Sequence, residues 1–129
     1  MSQEQNEQWH YLLHEGNAQD SQDITNGVAP SHSPWFSGHF PGNPILPGIA
    51  ILAMVKETII GEEEKKGKKI KVTGVRKVRF RQPVKPDDIL SIAYSALPAK
   101  NNRAYSFKVS LAEQVMCMGT IFAVELINV

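Results

Sequence analysis

His39 stands between Gly38 and Gly42 in the stretch WFSGHFPGNPILPG, residues 35–48, where Pro41, Pro44 and Pro47 recur every third residue. An imidazole exchanges a proton near neutral pH. It serves as a general base only when it is held within reach of the atom it deprotonates. The prolines restrict the backbone, and the glycines allow close approach or positive φ. Pro47-Gly48 leads straight into seven apolar residues, Ile49–Val55. If a helix begins there, its first N–H groups lack intrahelical acceptors and its dipole is positive at that end. A carbonyl placed at that end would have its developing oxyanion stabilised. His39 as base beside a helix N-terminus is thus one reading of the segment. An ordinary hydrogen-bonded loop histidine is the other, and the chemistry alone leaves both open.

The elements that would position these groups follow from pattern. The apolar run continues past Lys56, Glu57 and Thr58 to Ile59 and Ile60, which predicts a buried helix of about 15 residues over Pro47–Ile60. Pro47 suits its first turn, and Gly61 or Gly67 can end it. Residues 62–71, EEEKKGKKIK, are expected to form a solvated helix end and loop. Four strands are predicted after it: Val72–Phe80, Ile89–Leu97, Arg103–Leu111 and Val115–Leu126. Short links, including a tight turn near Glu113, predict an antiparallel meander. Upstream, residues 1–8 are polar and expected to fray. Trp9–Leu13 is a short apolar stretch fitting a strand or a helical turn, Glu15–Gln22 is expected to be loop, and Asp23–Ala29 a strand weakened by Asn26-Gly27. Residues 30–48 hold five of the eight prolines and three of the nine glycines. A loop this long in a small domain is commonly functional. One helix and a run of strands is an α+β layout.

Composition bounds the function classes. One hundred and twenty-nine residues predict a single domain, 1–129. Fourteen Lys and Arg against 13 Asp and Glu disfavour a wrapped nucleic acid. The single cysteine, Cys117, makes no intrachain disulfide and fits a reducing compartment. No apolar run approaches the ~18 residues of a membrane span, and the polar start lacks a signal peptide's apolar region. The expectation is a cytoplasmic protein with no nucleic-acid or membrane partner. No nucleotide-binding or serine-hydrolase motif occurs.

The block GHFPGNPILPG, residues 38–48, resembles the signature of the (3R)-hydroxyacyl-acyl-carrier-protein dehydratases, the FabA/FabZ-like hot-dog proteins, which carry G-H-F-P-G-x-P-x-x-P-G before a central helix. Residues 72–88, VTGVRKVRFRQPVKPDD, resemble the same family's strand and P-V-x-P-G-D turn. The likeness spans roughly residues 33–127. It implies a hot-dog fold, an antiparallel sheet wrapped round the helix, and an acyl site at a dimer interface formed through sheet edges. It also implies dehydration of a 3-hydroxyacyl thioester to a trans-2-enoyl thioester without a cofactor or metal. His39 corresponds to the base that takes the C2 proton, and Gly48 to the backbone oxyanion donor. Phe40, Pro47 and Ile49 correspond to substrate-contacting positions.

The family's acid, a Glu or Asp on the helix that protonates the leaving hydroxyl, falls at Ala53 in this chain. The nearest carboxylate, Glu57, lies one turn on, about 6 Å along the axis, and is a weak substitute. Two functions follow. One is a dehydratase acting on an acyl-carrier-protein or coenzyme A thioester as a homodimer or higher homo-oligomer. The other is a half-site or non-catalytic acyl-binding subunit, in a heterodimer with a second hot-dog protein that supplies the acid. A thioesterase or enoyl isomerase on the same fold is a third option.

Other residues stand at spacings that admit a functional reading. Lys77, Arg79 and Arg81 alternate with Val78 and Phe80, which would place them on one strand face. There they could contact an acidic carrier protein or its phosphate, or form an ordinary wet face. His10 and His14 would share a helix face but lack a third metal ligand. Met54, Met116, Met118 and Phe122 could line an acyl tunnel or simply fill the core.

Overall fold

The computed structural model describes residues 12–19, 22–29, 45–98 and 102–126. In chain order these form β1 (Leu12–Gln19), β2 (Gln22–Val28), α1 (Gly48–Lys65), β3 (Ile70–Phe80), β4 (Ile89–Leu97), β5 (Arg103–Leu111) and β6 (Gln114–Glu125). The strands make one antiparallel sheet in the order β1-β2-β4-β5-β6-β3. The one helix among the described residues packs on it, and the arrangement is the α+β hot-dog fold.

The helix starts where the sequence predicts and runs further, to Lys65. Gly61 sits inside it. Gly67 ends it, at φ +81, with Lys68 N–H donating to Glu63 O at 2.9 Å and Gly67 N–H to Glu64 O at 2.9 Å. That paired pattern requires the left-handed conformation that glycine adopts at little cost. Ala50, Ile51, Met54, Val55, Thr58 and Ile59 are buried, each of the apolar ones at most 3 % exposed. Ile49, Lys56 and Glu57 are exposed, so one stripe of the helix faces outward.

The stretch expected to be loop, 15–22, is largely strand: β1 covers residues 12–19 and pairs with β2. Its sequence shows no polar–apolar alternation, and it is a strand by its backbone pairing with β2. The predicted meander holds only for β4, β5 and β6. β3 pairs with β6, not with β4, so residues 81–88 cross the sheet instead of turning back. Backbone bonds hold that link: Arg81 N–H donates to Met116 O (2.8 Å), Leu46 N–H to Val84 O (2.7 Å) and Asp87 N–H to Ala29 O (2.9 Å). Val84 is fully buried at its centre. A proline-stiffened link anchored at both ends can cross two strands without a helix of its own.

β3 carries two bulges, between Val72 and Gly74 and between Arg76 and Arg79, and Lys77 in the second adopts φ 56. Each adds a residue and resets the alternation. Ile70, Val72, Val75 and Phe80 end up opposite Glu125, Ala123, Ile121 and Cys117, on the face that packs on α1. Lys71, Gly74, Arg76 and Arg79 end up opposite Val124, Phe122, Thr120 and Met118, on the outer face. The strict alternation of Lys77, Arg79 and Arg81 is therefore broken, and Arg76 and Arg79 share the outer face instead.

Candidate active site

Pro47 is the N-cap of α1, in extended conformation and without a side-chain cap. Its carbonyl accepts from Ala50 N–H (3.0 Å) and Ile51 N–H (3.2 Å). Among the described residues the Gly48 and Ile49 N–H groups find no backbone acceptor, as expected at a helix start. A cavity of about 600 Å³ opens at this end, lined by residues 45–48 and Ile51 on one side and residues 80–84 on the other. The crossing link thus forms the far wall, tied to the entering chain by the Leu46–Val84 bond.

Phe80, half exposed, lays its ring against Gly48. A Cβ on Gly48 would stand 2.7 Å from the ring's Cζ. Gly48 is therefore needed for close packing, and the ring shields the helix end from solvent on that side. Arg81 stands at the same cavity and supplies the one formal charge among the described residues that line it. The arrangement is a mostly apolar hollow with a positive helix end and a guanidinium, suited to a carbonyl on an apolar chain carrying an anionic group.

Ala53 faces a different hollow. It lines a cavity of about 170 Å³ together with Ile49, Leu52 and Lys56 of α1, Val72 and Val75 of β3, and Ile121. Ala53 is five positions after Gly48, about 7.5 Å along the axis and about 140° around it. Ile49, expected to contact substrate beside Gly48, belongs to the Ala53 side and is 69 % exposed. Glu57 is exposed one turn beyond Ala53.

His39 and Phe40 lie outside the described residues, as does His10. Pro47 and Gly48 are placed at the cavity as expected. His14 lies in β1, on a strand rather than a helix, which removes the helical pairing with His10. Met54 and Met116 are core, 1 % and 3 % exposed. Met118 and Phe122 are on the outer face of β6, where the Arg76 guanidinium sits 5.6 Å over the Phe122 ring, so neither lines the hollow beneath α1. No cluster of three potential metal ligands exists among the described residues. Sequence reasoning overlooked Phe80, Gln82 and Val84 as wall residues. The matched block at 72–88 held them, but only the crossing of β3 to β6 brings them to the helix end.

Burial raises the Cys117 thiol to about 11, so it is protonated at neutral pH and inert. Among the described residues the remaining perturbed groups gather at the opposite end of α1. Arg103 donates to Glu125 at 2.7 Å and lies 3.9 Å from Glu63, which also has Lys66 at 3.8 Å. The Arg103 hydrogen bond holds the Glu125 carboxyl below its usual range. Tyr105, buried beside Glu63, is raised by burial first and by that carboxylate second. Helix length places this cluster some 20 Å from Gly48, so it braces the helix end against β5 and β6.

The family model of the ApeI dehydratases, ApeI-like, matches residues 15–120. The chain is 36 % identical over 98 residues to a 3-hydroxyacyl-[acyl-carrier-protein] dehydratase FabZ of Chlamydia trachomatis serovar L2, covering 70 % of this chain and 63 % of the relative. It is 35 % identical over 100 residues to the FabZ of Caldicellulosiruptor saccharolyticus, covering 73 % and 71 %. The match therefore spans somewhat less than two thirds of the chlamydial protein. Among solved structures, the dehydratase heterocomplex ApeI:P of Xenorhabdus doucetiae superposes with a TM-score of 0.66 at 20 % identity, over 88 % of this chain and 96 % of that one. An uncharacterised protein of Pyrococcus horikoshii superposes with a TM-score of 0.71 at 13 % identity, over 92 % and 87 %.

Proposed function

The chain belongs to the ApeI-like dehydratase family, and from that premise we propose that it takes part in dehydrating a 3-hydroxyacyl thioester to a trans-2-enoyl thioester. The observation that carries the reading is the open N-terminus of α1 at Gly48, set in an apolar hollow of about 600 Å³ within a chain that matches the family over residues 15–120. The thioester carbonyl sits at the Gly48 N–H. His39 removes a proton from C2, the electron pair forms the C2–C3 double bond, and the C3–O bond breaks. The hydroxyl leaves as water after taking a proton from an acid. The acyl chain follows the apolar wall, with Phe40 and Pro47 against it. Arg81 at the hollow favours the phosphate of a carrier's pantetheine arm or of coenzyme A, with Lys77 and Arg79 further along β3 facing an acidic carrier.

A second reading is favoured by Ala53. No carboxylate occupies the acid position, and the hollow at Ala53 opens beside the β3 edge rather than into the Gly48 cavity. In this reading the chain is a half-site subunit, and a second hot-dog protein brings the acid. A relative in the solved structures is titled a dehydratase heterocomplex, which supports it. The test is an assay of the purified chain on a 3-hydroxybutyryl and a crotonyl carrier thioester, in the dehydration and hydration directions. Turnover by the chain alone supports the self-sufficient enzyme. Its absence, with activity restored by a second hot-dog subunit, supports the half-site. No turnover in either arrangement overturns the dehydratase reading.

A further inference from the structure

Ten of the chain's fourteen Lys and Arg fall between Lys65 and Lys85, and no Asp or Glu does. The tertiary structure gathers part of this charge on one sheet edge. β3 hydrogen-bonds to β6 alone among the described strands, so its other side is an open ladder eleven residues long. Its two bulges bring Lys71, Arg76 and Arg79 onto a single face, all three exposed. Beneath them the edge also shows apolar surface: Val75 is 44 % and Ile49 69 % exposed, next to the hollow at Ala53. An open ladder with an apolar shoulder is a pairing surface.

A second copy fits this edge poorly. A two-fold axis normal to the sheet keeps outer residues with outer residues. Centred on Val75, it pairs Ile70 with Phe80, Gly74 with Arg76 and Lys71 with Arg79 of the copy. That register matches the faces, but it sets two cation pairs directly opposite one another and brings six outward cations into one patch. Like charges directly opposite destabilise a strand pair, whereas opposite charges stabilise it. Two of the helix carboxylates are already engaged: Glu62 binds Lys65 at 3.0 Å, and Glu63 lies between Lys66 and Arg103.

We propose that the β3 edge is built for a partner subunit whose own edge strand carries carboxylates on its outer face, in preference to a second copy of this chain. The inference rests on the half-site reading, since the subunit paired with this edge is the one that would supply the acid. Charge complementarity on the edge then selects which subunit completes the site.

The test needs only this chain. A Lys71→Glu/Arg76→Glu/Arg79→Glu variant, isotope-labelled, stands in for the acidic-edged partner and is mixed with wild type. Native mass spectrometry and sedimentation should show mixed dimers exceeding statistical mixing by roughly tenfold at about 50 mM salt. The excess should shrink at about 0.5 M, while wild type alone should self-associate more tightly as salt rises. Should the triple variant misfold, Arg76→Gln/Arg79→Gln serves instead, and it should self-associate more tightly than wild type at low salt. A wild-type dimer that is unaffected or weakened by salt, statistical mixing, or a mixture that stays monomeric overturns the proposal. The last outcome would make β3 a protected edge. Brisk dehydration by wild type alone would remove the half-site reading, while the charge preference is decided independently by the sign of the salt effect.

Discussion

At the scale of single residues, the chemistry divides between groups the chain has and one it lacks. If His39 is the base, His39→Ala should remove dehydration while circular dichroism stays unchanged. A general base typically contributes about 10²–10⁴-fold, and undiminished turnover would end its assignment. On the proposed reading the acid is the missing group. The hollow of about 170 Å³ beside Ala53 leaves space for a longer side chain. Where two copies share a site, Ala53→Glu should therefore raise the dehydration rate of the homomer, by up to about the same 10²–10⁴-fold. A fast wild type that is unaffected by Glu57→Gln would show that the proton comes from elsewhere. Gly48 illustrates what the motif's glycine does here: its missing Cβ admits the Phe80 ring to the helix end. The sequence disclosed that a glycine begins the helix, but not which ring would lie on it, because Phe80 is 32 positions away and reaches Gly48 only through the sheet.

At the scale of elements, α1 is held at both ends by different means. Its start is tied through the Leu46–Val84 backbone bond and its end by Gly67 and the Arg103 cluster. Replacing Gly67 with Ala forces a side chain into φ +81 and should cost about 1 kcal/mol in urea unfolding. Arg103→Gln should lower the melting temperature at pH 7, since it unpairs Glu125 and leaves buried Glu63 with Lys66 alone. The sign with pH follows from Glu125, whose folded pKa lies below its ordinary value of 4.5. The stabilisation it supplies is present above that ordinary value and is lost as pH falls through the lower folded one. Wild type and Arg103→Gln should therefore converge in melting temperature as pH drops below 4.5. A gap that stays constant in acid would show that the ion pair is not its source. In β3, the cations read from the sequence as one alternating stripe are re-sorted by two bulges. Local spacing cannot reveal a bulge, because it arises from register against β6.

At the scale of the whole molecule, the question is whether the site is complete within one kind of chain. Gly48 and Ala53 open into separate hollows on the two sides of α1, and under the proposed function a second subunit brings base and acid to one substrate. The chain alone should dehydrate slowly. Mixing it with an Ala53→Glu copy whose His39 is replaced by Ala should give more activity than either protein alone, because each supplies what the other lacks. Steady-state rates of the mixture that merely equal the sum of the parts would argue against a shared site.

The amino-acid sequence by itself determined the helix start at Gly48, the ends of β4 and β5 to the residue, the α+β class and, through two motif blocks, the family. Each of these is a local property: a glycine after a proline, an apolar run, an alternation, a block of adjacent residues. Tertiary structure decided the rest. It placed β3 beside β6 rather than β4, made residues 12–19 a strand, carried 80–84 across to wall the hollow at Gly48, and turned Met118 and Phe122 outward. The reason is common to all four. Backbone groups must find partners wherever the sheet offers them, and that pairing joins residues far apart in the chain, which no local pattern of side chains records.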